Sequence, residues 1–189
     1  WSVVDSGKTK FLVHMPTGSG KTRTAIHFAA EMLRNKSEGV VLWIANSEEL
    51  CEQAASEFER AWSYIGNRGI KIGRFWGSYS DQALQIRDGV MIAGVQKLHS
   101  LFDSNIQDLL SLSSHTNLLI FDEAHQIIAP TYRRLVQLLT DYNPKVVLAG
   151  LSATPGRTWL DIDADEELSS FFDRTKVSLR PQGGENPVE

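Results

Sequence analysis

Residues 15–22 read Met-Pro-Thr-Gly-Ser-Gly-Lys-Thr, and no other stretch restricts the fold of this chain as tightly. The run follows Lys10-Phe11-Leu12-Val13-His14-Met15, an apolar segment that suits a buried strand. It precedes residues 22–36, where Ala25, Ile26, Ala29, Ala30 and Leu33 recur at helical spacing. Strand, glycine turn and helix, in that order, form the setting in which a loop cradles phosphate. Gly18 and Gly20 let the backbone wrap so that amide N–H groups point at phosphate oxygens. The helix N-terminus adds partial positive charge at the same place. The pattern assigns Pro16, Thr17, Gly18, Ser19, Gly20, Lys21 and Thr22 to nucleotide binding. Lys21 would reach the β- and γ-phosphates, and the Thr22 hydroxyl would sit on Mg2+. Met15 stands where the usual pattern has a further glycine, outside the Gly-Lys-Thr core.

A second apolar run, Asn117-Leu118-Leu119-Ile120-Phe121, leads into Asp122-Glu123-Ala124-His125. Asp122 then falls at the carboxyl end of a strand, where open α/β sheets bind ligands. There it can hold Mg2+ through water, and Glu123 is the base or water-positioning group for attack on the γ-phosphate. An acidic turn opening a helix would look the same in isolation, because Asp and Glu favour helix N-termini. The phosphate loop earlier in the chain decides between the two. His125 has no Cys or His partner at metal-ligand spacing, so it is read as a coupling group and not as a metal ligand.

Strand-like runs at 11–15, 40–45, 70–75, 90–94, 118–122 and 146–151 alternate with helix-like stretches. Residues 47–64 form one such stretch, N-capped by Ser47 with a stripe of Leu50, Ala54, Phe58, Ala61 and Ile65. Residues 96–112 form another, and 124–139 a third that Pro130 kinks or restarts. The alternation predicts an α/β fold with a mostly parallel central sheet flanked by helices on both faces. The 189 residues suit one domain, spanning 1–180. Pro and Gly crowd residues 181–189, which read as a linker toward a further domain. The chain opens at Trp1 without an initiating Met, a basic n-region or an apolar signal core, and is read as a piece of a longer protein. No apolar run approaches the ~20 residues of a membrane span. Cys51 is the only cysteine, so no internal disulfide can form, which fits a cytoplasmic setting. Net charge is −4, which argues against a duplex-coating protein. It argues less against a motor that grips phosphate with backbone amides.

The phosphate loop, the Asp122–His125 run and Ser152-Ala153-Thr154 resemble motifs I, II and III of superfamily 2 helicases and translocases. Asp-Glu-Ala-His gives the DEAH label. Val41-Leu42-Trp43-Ile44-Ala45, Glu48-Glu49-Leu50 with Gln53, and Gly150 to Arg157 look most like the restriction-enzyme branch related to type I and type III motor subunits. The resemblance implies a RecA-like P-loop NTPase domain using ATP and Mg2+, with Lys21, Asp122, Glu123 and His125 catalytic. A second RecA-like domain would supply arginine fingers, and the adenine-reading glutamine motif would lie upstream of this chain. Ser152, Ala153 and Thr154 would couple nucleotide state to domain closure. Nucleic acid would be contacted by Asn46 and Ser47, by Gly77 and Ser78, and by Gln96 and Lys97. Trp76 is the one tryptophan kept as a possible base contact. The implied activity is ATP-driven movement on, or remodelling of, DNA ahead of RNA, with no membrane partner. The alternatives are an ATP-driven translocase of something other than nucleic acid, and a nucleotide-gated nucleic-acid sensor that does not unwind.

Overall fold

A computed structural model describes residues 4, 6–16, 18–79, 84–153 and 162–178. The expected contacts at Thr17 and Thr154, the residues Pro155, Gly156, Arg157 and Trp159, and the expected linker at 181–189 lie outside them. Among the described residues, seven strands form one sheet: β1 Lys10–His14, β2 Gly39–Ala45, β3 Lys71–Phe75, β4 Asp88–Gly94, β5 Thr116–Phe121, β6 Val147–Ser152 and β7 Lys176–Ser178. Their order is β3-β4-β2-β5-β6-β1-β7, and every pairing is parallel. The helices are α1 Lys21–Arg34, α2 Glu48–Ile65, α3 Val95–Ser104, α4 Ile106–His115, α5 Pro130–Tyr142 and α6 Ile162–Phe171, with a 3-10 turn at Ala124–Ile128.

Both faces of this sheet are covered, and the strand period shows how. Val40, Leu42 and Ile44 share a core cluster with Leu98, Leu109, Leu135 and Phe172. Their neighbours Val41, Trp43 and Ala45 point the other way, into a cluster with Ala25, Ile26 and Phe58. Thus α1 and α2 cover one face and α3 to α6 the other. All seven residues of β2 are buried, as a central strand with helices on both sides requires. Burying each large side chain of this kind stabilises the fold by about 1.5–3 kcal/mol.

Local chemistry sets the element ends. Ser47 accepts from the Leu50 backbone N–H at 3.2 Å and caps α2 as expected. Pro130 occupies the first turn of α5, where its missing N–H costs nothing, and restarts the 124–139 stretch as expected: a 3-10 turn is followed by a fresh helix. The helix expected over 96–112 is instead two, α3 and α4. Asn105 breaks it at φ −151 and ψ 76, with its side-chain amide donating to Asp108 Oδ2 at 2.7 Å. Asn competes for local hydrogen bonds in this way, and tertiary burial of Leu109 and Leu112 sets the new axis. The acidic residues Asp163, Asp165, Glu166 and Glu167 lie inside α6. At the amino edge of the sheet, Arg68 grips Asp88 with two bonds of 3.0 and 2.6 Å and donates to Leu33 O at 2.6 Å. That tie fastens the end of α1 to the start of β4. Cys51 is fully buried, and burial pushes its thiol up to about 12, far from the reactive range.

Gly150 on β6 marks the tightest packing. A Cβ there would overlap the Phe172 ring and stand 2.9 Å from the Ala124 Cβ. The close approach seats the 3-10 turn, and with it the Asp122–His125 run, against β6. Gly150→Ala should therefore cost about 1–3 kcal/mol by overpacking. Urea denaturation should show a lower midpoint with an unchanged slope; an unchanged midpoint would show that the two elements do not press on β6.

Candidate nucleotide site

All seven strands run the same way, so their carboxyl ends gather along one edge, and the loops that follow β1, β5 and β6 meet there. β6 lies between β5 and β1 in the sheet. The Met15 N–H donates to Ser152 O at 3.1 Å, fixing the start of the phosphate loop to the end of β6. The Asp122 N–H donates to Ile44 O at 2.8 Å, extending the ladder of β5 past its last residue. These two bonds set the separation of the loop and the carboxylates.

Gly18 and Gly20 adopt φ of +77° and +86°, with open space where a Cβ would stand. α1 opens at Gly20 without any side-chain cap, which leaves its first-turn amides to the loop's concave side. The donor set fits a polyphosphate: uncapped amides, a helix N-terminus and one ammonium. The fit for a hard divalent cation is of a different kind. Among the described residues, no group of three or more His, Cys, Asp and Glu side chains is assembled for a metal. Asp122 and the Thr22 hydroxyl, in the first turn of α1, are the oxygen donors on offer, which suits an ion that keeps waters and shares phosphate oxygens.

The Lys21 ammonium stands 2.8 Å from Glu123 Oε1 and 3.8 Å from Asp122 Oδ1. The other oxygen of Glu123 lies 3.4 Å from His125 Nδ1. Glu123 takes φ 53 and ψ 55, a left-handed backbone that costs a non-glycine residue about 1–2 kcal/mol. Its N–H donates to Asp122 Oδ1 at 3.0 Å, holding that turn. The strain turns the Glu123 carboxylate back toward the phosphate loop. Lys21, Asp122, Glu123 and His125, expected together, are brought together. Ser152 is fully buried at the end of β6, between the two groups, and Ala153 follows it.

The other predicted contacts meet on the same edge, beyond β2. Asn46, Ser47, Gly77, Gln96 and Lys97 line one groove of about 610 Å³, together with Glu48, Trp76, Gly94 and Ser100. Ser78 is exposed on the loop beside it. Trp76 is only 4% exposed, its ring meeting the Tyr79 ring edge-on at 4.9 Å, so it packs as core and leaves little face for a base. Glu48 lines the groove as the direct continuation of Asn46 and Ser47. The sequence reading gave no role to Tyr79, which β3–β4 pairing brings to the same edge on the loop after β3.

Asp122 is 4% exposed. Burial raises its carboxyl above the ordinary range; Lys21 pulls it down, the Glu123 charge adds to the rise, and the Glu123 amide opposes it. The folded chain thus keeps a proton on Asp122 at pH values where the unfolded chain has released it. Folding stability then falls as pH rises through that window. Asp122→Asn removes the buried charge, so its melting temperature should exceed that of the wild type at neutral pH, with the gap closing at acidic pH. A variant that melts lower at neutral pH would contradict this account of the site.

The model of the family described as type III restriction enzyme, res subunit, matches residues 1–157. An uncharacterized helicase of Caenorhabditis elegans is 30% identical over 93% of this chain, which spans 10% of that protein. The ATP-dependent DNA helicase Hel308 of Methanococcus vannielii is 28% identical over 93% of the chain, which spans 22% of it. The chain thus covers a tenth to about a fifth of the length of these relatives. The Hef helicase domain of Pyrococcus furiosus shares the fold at a TM-score of 0.71 and 22% identity, covering 94% of this chain and 37% of that one. No helix among the described residues is long and apolar enough to cross a membrane. On its matching family model, its relatives and its all-parallel sheet, this chain belongs to the type III restriction enzyme res-subunit family and is a helicase-type, RecA-like ATP-binding domain.

Proposed function

We propose that this chain is the first motor domain of a DEAH-type nucleic-acid helicase or translocase that couples Mg-ATP hydrolysis to movement. The observation that carries the reading is the cluster of Lys21, Asp122, Glu123 and His125 at the carboxyl edge of the sheet. When bound, Mg-ATP would supply the γ-phosphoryl group and a divalent charge beside it. The chain's part is positioning and charge stabilisation, which is most of phosphoryl-transfer catalysis. Lys21 leaves Glu123 for the β- and γ-phosphates. The backbone N–H groups of residues 18–22 would wrap them. Thr22 and Asp122 would hold the cation, the latter through water. Glu123, released, accepts a proton from the attacking water, and His125 holds its other oxygen. Ser152 and Ala153, with Thr154 by the same sequence pattern, would pass the change to the rest of the edge.

Nucleic acid, with DNA placed ahead of RNA, would run along the groove that holds Asn46, Ser47, Gly77, Gln96 and Lys97, with Ser78 beside it. In this reading, residues 1–180 are one motor domain and 181–189 a linker to a second. That partner brings arginines to the phosphates, so this chain alone turns over ATP slowly. The setting is cytoplasmic.

The test is ATP hydrolysis by this chain joined to a second motor domain, with single-stranded DNA, duplex DNA, RNA or no polymer. Stimulation by one polymer names the track. Polymer-independent turnover that still needs Lys21 would move the reading to a motor for another cargo. Lys21→Ala and Glu123→Gln should each lower kcat by about 10²-fold or more. Glu123→Gln should still bind nucleotide, more tightly than the wild type, and Lys21→Ala should lose affinity. Normal turnover by Glu123→Gln would remove Glu123 from the mechanism.

A further inference from the structure

Among the described residues, Lys97 is the one cation lining the carboxyl-edge groove, and its ammonium is already engaged. It donates to Gly77 O at 3.1 Å and to Tyr79 O, and it sits 4.8 Å above the centre of the Phe75 ring. Two carbonyls and a ring face surround a half-buried ammonium with only three donors. The loop it grips is held from the opposite side as well. Gly77 adopts φ +50°, and a Cβ there would stand 2.8 Å from Glu48 Oε2, so the first turn of α2 presses on the loop. Trp76 anchors the loop from below, against Gly94. Beside Lys97, the Gln96 side-chain amide donates to Asn46 O at 2.9 Å, tying the start of α3 to the loop after β2. Three separate loops are thereby joined along half of the sheet edge.

We propose that Lys97 is a positioning residue. It clamps residues 76–79 between α3 and α2 and so shapes the groove, and it does not itself hold the phosphate backbone. The proposal rests on the nucleic-acid reading of the groove for its functional consequence, and on the loop geometry alone for the clamp. A direct contact and a clamp differ in two measurable ways. A lysine on phosphate displaces a counterion, so its removal flattens the salt dependence of binding. A clamp orders the loop in the absence of any polymer.

The experiment compares the wild-type 189-residue chain, Lys97→Met, and Gly77→Ala, which strains the loop but keeps the ammonium. Amide hydrogen exchange is followed at residues 77–79 without ligand. Binding of a labelled oligothymidylate is followed across a salt series. The clamp predicts about tenfold faster exchange in Lys97→Met. It also predicts weaker binding by both variants with the wild-type salt slope. Unchanged exchange in Lys97→Met overturns the proposal, as does a slope shallower by ~0.7, the loss of one single-strand phosphate contact. If the wild type binds no oligonucleotide, the nucleic-acid reading fails, and the exchange data alone uphold or overturn the clamp.

Discussion

One ammonium facing two carboxylates across a strand organises this molecule. Lys21 comes from the loop after β1, and Asp122 and Glu123 come from the end of β5, with β6 between them. The charges compensate one another only if the three strands stay in parallel register. The loop must also stay bonded to Ser152 O, and Asp122 to Ile44 O. An anionic ligand at the loop competes for Lys21 and leaves Glu123 free. The resting pair and the liganded site are therefore alternative partnerships of the same ammonium, and exchange between them is the simplest physical switch the geometry offers.

The arrangement has a stability cost that other parts of the fold offset. Asp122 is buried with its carboxyl pushed upward, and Glu123 holds a left-handed backbone. Strain of this kind persists where the surroundings over-determine the conformation. Here those surroundings are the β2–β5–β6 core and the close seat of the 3-10 turn at Gly150. At the opposite edge, Arg68 fastens α1 to β4, so the helix that carries Lys21 is anchored at its far end.

Much of this was legible in the sequence because it is local. The phosphate loop needs glycine at 18 and 20, lysine at 21 and threonine at 22, and the structure gives both glycines positive φ. Buried strands declare themselves as apolar runs, and Ser47 and Pro130 mark helix starts through their own side chains. What stayed hidden depends on distant partners. Strand β7 has three residues with one apolar side chain, and only β1 beside it makes it a strand. The break at Asn105 follows from where Leu109 and Leu112 must be buried. Of the apolar stripe predicted for α2, Ala54 and Phe58 are buried and Leu50 and Ala61 pack at its margin, while Cys51 and Ala55, outside the stripe, are buried too. Lys97 reads in sequence as a nucleic-acid contact, and only the fold shows its ammonium against Gly77 O, Tyr79 O and the Phe75 ring.

The central claim is that Lys21 exchanges Glu123 for phosphate. The most direct measurement is the affinity of a non-hydrolysable ATP analogue, with Mg2+, for the wild type and for Glu123→Gln. Removing the competing carboxylate charge should tighten binding by roughly threefold to tenfold, since a partly buried pair of this kind contributes about 1 kcal/mol. Equal or weaker binding by Glu123→Gln would show that the ion pair does not compete with nucleotide, and the exchange would have to be abandoned.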